Sequence, residues 1–178
     1  MVAGVLTGRR SLLEKIFNHE YLNIGASLAP QNAWLLIRGL RTLEVRLEKI
    51  SATANQVIAF LQQHPTVEQV LHPFSENNKD LLLARKQMKK CGGLFSITLK
   101  NTSLEKIELF CNSLQHILMA VSWGGYESLI IPACAGLSTD AFDPENKRHR
   151  LIRIYIGLED ADYLIADLKQ ALDRLEKE

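Results

Sequence analysis

Apolar residues fall at Leu36, Leu40, Leu43, Leu47, Ile50, Ala54, Val57 and Leu61, in steps of 4, 3, 4, 3, 4, 3 and 4. That rhythm keeps one face apolar for about seven turns and predicts one long helix. Pro30 suits its first turn, and His64-Pro65 closes it. Gly39 lies inside and offers a place to kink, since glycine costs about 1 kcal/mol within a helix. Residues 94–99 (Leu-Phe-Ser-Ile-Thr-Leu) and 151–156 (Leu-Ile-Arg-Ile-Tyr-Ile) are rich in β-formers and predict strands. Weaker strand patterns occupy 2–6, 67–72 and 117–121. The 2–6 strand starts without a flanking loop, so its sheet neighbours are expected to be missing or it lies at an edge.

Further helices are expected at 11–17, 77–88, 103–114 and 160–176. Ser103 caps the third, with Lys106 where a full capping box would place an acid. The last carries Leu164, Ile165, Leu168, Ala171, Leu172 and Leu175 on one face, with Asp160 and Asp162 at its positive end. Residues 23–26 and 131–150 read as loops, and Gly92-Gly93 as a turn. The order predicts an α+β fold, with helices packed on one face of a mostly antiparallel sheet.

Two places carry candidate chemistry. In 151–156, alternation puts Leu151, Arg153 and Tyr155 on one face and Ile152, Ile154 and Ile156 on the other. Arg153 is then either a solvent-facing residue or a guanidinium turned into a cleft to take a carboxylate. Residues 120–130 are too polar and glycine-rich for a core strand. Ser122 and Trp123 precede Gly124-Gly125, and Glu127 and Ser128 follow, where they could start a short helix. The group is either an ordinary glycine turn or a seat for a carboxylate or phosphate.

Composition narrows the classes. The chain has 178 residues, 47% of them hydrophobic, and a net charge of +1. With a pI near 7.7, nothing asks for nucleic acid or a membrane surface. No apolar run of about eighteen residues spans a bilayer. The first ten residues place their charges after the apolar part, so no signal peptide is expected. The three cysteines, Cys91, Cys111 and Cys134, have neither disulfide-framework nor metal-ligand spacing. A reducing cytoplasm is the expected compartment. Use of Cys111 or Cys134 as a nucleophile with a histidine has no supporting spacing.

Three stretches in order complete the reading: 30–46 (Pro-Gln-Asn-Ala-Trp-Leu-Leu-Ile-Arg-Gly-Leu-Arg-Thr-Leu-Glu-Val-Arg), 122–129 (Ser-Trp-Gly-Gly-Tyr-Glu-Ser-Leu) and 151–166 (Leu-Ile-Arg-Ile-Tyr-Ile-Gly-Leu-Glu-Asp-Ala-Asp-Tyr-Leu-Ile-Ala). Together they resemble the C-terminal portion of the pyridoxal-phosphate enzymes of cysteine and methionine metabolism. Trp123 looks most like the bacterial cystathionine β-lyases. The resemblance implies the C-terminal small domain of a fold-type I enzyme, preceded by a long connecting helix. Residues 1–45 would be a remnant of the large cofactor domain with the start of that helix, and 46–178 the small domain.

It also implies a carbon–sulfur lyase of transsulfuration, acting on an amino acid such as cystathionine. Arg153 would grip the substrate α-carboxylate, helped by Ser122 and the backbone at Trp123. Trp123 and Val121 would shape the side-chain pocket. No lysine here occupies the family's Schiff-base motif, and Ser51-Ala52-Thr53 is followed by Ala54 where that motif has lysine. The chain is therefore expected to be inert alone and to bind no cofactor itself, as a truncated or split enzyme lacking its N-terminal half. Whether it acts as an enzyme stays open. The alternative is a stand-alone amino-acid-binding or self-association module, and a homo-oligomer is expected.

Overall fold

Pro30 has no N–H to donate, and the first helical position has no intrahelical acceptor for one. In the computed structural model, which describes residues 3–25, 27–100 and 102–175, Pro30 opens α3 (Pro30–Leu40). Ahead of it run α1 (Arg10–Ile16), a π-turn (Phe17–Tyr21) and α2 (Leu22–Ile24). The helix expected to be continuous is two. The chain turns at 41–42, and α4 (Leu43–Gln63) carries the rest of the stripe. At the turn, the backbone N–H and the hydroxyl of Thr42 both donate to the Gly39 carbonyl, each at 3.4 Å. A hydroxyl competing for a helix carbonyl loosens the ladder, and glycine beside it lowers the cost of the break.

The chain divides into two compact units, Met1–Val45 and Arg46–Glu178. In the first, none of the described side chains is buried. The strand expected at 2–6 does not form: residues 3–9 hold no regular structure, and Val2 lies outside the described residues. A strand with no partner leaves its N–H and C=O groups unpaired, and no described strand pairs with this segment.

The second unit is built on a five-stranded sheet in the order β1-β2-β5-β4-β3. The strands are β1 (Val67–Leu71), β2 (Leu94–Leu99), β3 (Leu118–Met119), β4 (Leu129–Pro132) and β5 (Leu151–Tyr155). All neighbours are antiparallel except β3 and β4. Strand β4 departs from the reading of 131–150 as loop and of Glu127-Ser128 as a helix start. It is four residues long with Leu129 and Ile130 both buried, and such a short run shows no alternation to read.

Helices α4, α6 (Leu104–Ser113) and α7 (Ala161–Leu175) pack on one face of the sheet. Val57, Leu61, Phe110, Leu164 and Leu168 meet Ile97, Ile152 and Ile154 in a core without solvent exposure. Helix α5 (Leu81–Gln87) is shorter than the expected 77–88. The α+β class, helices on a mostly antiparallel sheet, holds. No helix among the described residues is long and apolar enough to cross a membrane.

Two polar devices set the path toward β3. The Ser103 hydroxyl accepts the Lys106 N–H at 3.3 Å and starts α6. Beyond α6, the buried carboxylate of Asp167 on α7 accepts the N–H groups of Gln115 (2.9 Å), His116 (2.9 Å) and Ile117 (3.1 Å). Burial alone would push that carboxyl up; the three backbone donors and the Gln170 side chain outweigh it and hold it below its usual range. The turn into β3 is thereby pinned to α7.

Candidate functional site

Parallel strands cannot be joined by a tight turn, because the chain must travel back to the starting end. Between β3 and β4 residues 120–128 make that return. Strand β4 then lies beside β5, with Leu129 opposite Tyr155 and Ile131 opposite Arg153. The strand alternation reads as expected: Ile152, Ile154 and Ile156 enter the main core. Tyr155 faces the other way, into a small cluster with Ile50 and Leu129. Arg153 is half-buried, flanked by Ser96 of β2 and Ile131 of β4.

The loop is tied down at several points and free at its tip. Arg153 donates through Nη2 to the Val121 carbonyl. The Tyr155 hydroxyl donates to the Gly125 carbonyl at 3.0 Å, and the Leu158 N–H to the Tyr126 carbonyl at 2.8 Å. The Ser128 N–H and hydroxyl donate to the two oxygens of Glu159, at 2.6 and 2.8 Å. The Ser128 oxygen accepts the Gly157 N–H at 2.9 Å. Between the ties, Gly124 sits at φ +86°, a conformation that side chains resist. Ser122 and Trp123 are exposed there, and neither side chain hydrogen-bonds among the described residues.

The electrostatics are mixed. Burial raises the Tyr155 hydroxyl above its usual range; the Arg46 charge opposes this and the Glu127 and Glu159 carboxylates add to it. Oxygen Oε2 of Glu127 is buried without a partner. Arg153 thus stands as a cation next to an open tip carrying a hydroxyl, an indole and a left-handed glycine. That set can hold a carboxylate by charge-assisted hydrogen bonds.

The structure brings Val121, Ser122, Trp123 and Arg153 into one place. It also adds Glu159, which no motif marks, and gives Ser128 and Tyr155 partners that the pattern does not show. Ser128 and Glu159 lie inside two of the quoted stretches, but 31 residues apart, with no spacing rule to join them.

Other candidates fall away. Cys111 and Cys134 are buried in the core, and burial pushes the Cys111 thiol up to about 12, the opposite of an activated nucleophile. Among the described residues, no cluster of His, Cys, Asp or Glu could hold a metal ion. Ser51 and Thr53 are buried within α4, with the Ser51 hydroxyl donating to the Cys91 carbonyl at 2.7 Å. A groove of about 620 Å³ opens beside β1 and α5, shares no residue with the loop, and is lined in part by His72 and Ala84.

No described lysine takes part in the loop's hydrogen bonds or ion pairs; Lys90 pairs with Glu48 and Lys169 with Asp173. The residues gathered here are suited to grip a carboxylate, and not to hold an aldehyde cofactor as an imine.

Comparison with known proteins bears on the family of the chain. A family model described as Cys/Met metabolism PLP-dependent enzyme matches residues 1–173. The chain is 36% identical over 186 residues to an L-methionine gamma-lyase of Treponema denticola, covering 99% of this chain and 45% of that protein. It is 35% identical over 181 residues to a cystathionine beta-lyase of Lactococcus lactis subsp. cremoris, covering 98% and 46%. Among solved structures, cystathionine gamma synthase from Xanthomonas oryzae pv. oryzae, in complex with aminoacrylate and cysteine, superposes with a TM-score of 0.82 at 30% identity, over 96% of this chain and 45% of that one. The chain thus spans a little under half the length of the curated relatives it matches.

Proposed function

Because the chain belongs to the Cys/Met metabolism PLP-dependent enzyme family, we propose that it supplies the substrate-carboxylate site of a carbon–sulfur lyase of the cystathionine β-lyase kind. Pyridoxal phosphate, when bound in such an enzyme, activates the substrate's α-carbon. The loop residues offer no lysine to hold that group as an imine, and no step through it is assigned to them. Their part is binding. Arg153 takes the α-carboxylate, Ser122 and the Trp123 backbone add hydrogen bonds, and Trp123 and Val121 border the side-chain pocket. Residues 1–45 belong, in this reading, to the large domain, and 46–178 are the small domain. The observation that carries the proposal is Arg153, half-buried on β5 and bonded to the loop at Val121.

Calorimetry with cystathionine tests it. The wild-type chain should bind. Arg153→Ala should weaken binding about tenfold or more, since a charged hydrogen bond contributes about 1.5–3 kcal/mol. Equal affinity in the two chains, or no heat with wild type, would sink the carboxylate site. Titration with pyridoxal phosphate tests the rest. A saturable visible band that persists after surface lysines are replaced would show cofactor chemistry in this chain.

One feature favours a second reading, a self-associating module. Trp34, Ile37 and Leu40 on α3 are all more than half exposed. An apolar patch of this kind drives association. A chain that sediments as a monomer at every concentration would remove that reading.

A further inference from the structure

We propose that Glu159 and Ser128 form a latch that positions the loop tip 122–124 for the substrate carboxylate. The inference rests on the reading of the loop as a carboxylate site. Its parts are a directed chain of hydrogen bonds. The Gly157 N–H donates to the Ser128 oxygen, at 2.9 Å, so the hydroxyl proton is turned toward Glu159 Oε2, at 2.8 Å. The second Glu159 oxygen takes the Ser128 N–H at 2.6 Å. Ser128 is fully buried, so water cannot replace these bonds, and an unmade one is costly.

The latch also has a steric half. A Cβ on Gly157 would lie 2.1 Å from the Tyr126 carbonyl oxygen and 2.6 Å from the Glu127 carbonyl carbon. The loop backbone therefore rests directly on the Gly157 backbone, where no other residue fits. Residues 126–128 are held to 157–159, and β4 begins at Leu129 with its register to β5 already set. The free tip is left spanning from this anchor to the Val121 carbonyl that receives Arg153. Releasing the anchor moves the tip and the acceptor of Arg153 together. Neither Glu159 nor Ser128 touches the substrate in this scheme; both act through the loop.

Trp123 reports directly on the tip once the other tryptophan, the exposed Trp34, is replaced by phenylalanine. In that background, Glu159→Ala and Ser128→Ala should raise acrylamide quenching of Trp123. Glu159→Gln should do so less, because its amide oxygen still accepts the Ser128 N–H. Thr102→Val is the control: it removes a buried hydroxyl bond to the Leu99 carbonyl, 2.6 Å, outside the loop, and should leave quenching unchanged. Cystathionine affinity should fall about tenfold in Glu159→Ala, as the displaced tip gives up the equivalent of one charged hydrogen bond to the substrate, and be partly restored in Glu159→Gln. In the wild-type chain, the Ser128 and Gly157 amides should resist hydrogen exchange.

Unchanged quenching in both latch variants, or an equal rise in the Thr102 control, would overturn the latch. Fast exchange at both amides in the wild-type chain would overturn it even if no variant folds. Failure of the wild type to bind cystathionine would count against the carboxylate site instead, and the quenching series would still decide the latch.

Discussion

Leu36 and Leu40 on α3 and Ile50, Ala54, Val57 and Leu61 on α4 belong to one helical rhythm. The four on α4 are buried, Val57 and Leu61 completely; Leu40 is 55% exposed. The first unit shows this throughout: its apolar residues line helices but bury none of the described side chains. In the second unit, the same kind of stripe meets a sheet whose inner face supplies Ile97, Ile152 and Ile154. A stripe states which face wants cover, and the free energy is gained only where another element provides it, about 1.5–3 kcal/mol for each large side chain. The bias toward one unit also explains where the candidate site lies. Its loop is anchored to β5, a central strand with a packed core behind it, and can be held in place.

The strongest test of this contrast is Phe110→Ala, in the middle of the second unit's core. It should cost about 3–5 kcal/mol in denaturant unfolding, as a large cavity does. A loss below about 1 kcal/mol would mean that the core is less well packed than its burial indicates.

Asp167→Asn comes next, with an expected cost of about 1–3 kcal/mol from three backbone donors losing a charged acceptor. The same residue predicts a pH dependence. Its folded-state pKa is lowered, so its stabilisation is fully present above the unfolded value of about 3.9 and is lost as pH falls through the lower folded value. The acid limb of a stability profile should flatten in the variant. An unchanged limb would assign the acid dependence to other carboxylates.

Capping gives a smaller difference. Ser103→Ala should cost about 1 kcal/mol by removing the α6 cap, read as a lower denaturant midpoint. Helices α1 and α3 have no side-chain cap to lose. The smallest effect is expected in the first unit: Trp34→Ala, 60% exposed, should change stability by less than about 0.5 kcal/mol. A large loss there would mean that the first unit is covered in solution, and would break the contrast.

The candidate site was partly legible from residues. Ser122, Trp123 and Arg153 stand out because a hydroxyl, an indole and a charge occupy places where a plain turn or core strand would not need them. Alternation correctly separated Arg153 and Tyr155 from the isoleucines. The latch was not legible. Ser128 and Glu159 are common residue types, and their meeting depends on β4, a strand too short to announce itself. Tyr155 gave no sign of its bond to Gly125, since a strand tyrosine is equally at home in an apolar cluster.

Local chemistry was sufficient for α6 and α7, for β2 and β5, for the Ser103 cap and for the class of fold, because each depends on neighbours within a few residues; it read 23–24 as loop where α2 (Leu22–Ile24) forms. The break at 41–42 was half visible in Gly39; the competing Thr42 bond completed it. The register of β4 on β5, the burial of one half of the stripe and not the other, and the anchoring of the 121–128 loop depend on residues tens of positions apart. Those pairings are chosen by which surfaces exclude water together, and no window along the chain contains both sides of the choice. Ser122, Trp123 and Arg153 could be named one by one, but their common position is a property of the sheet.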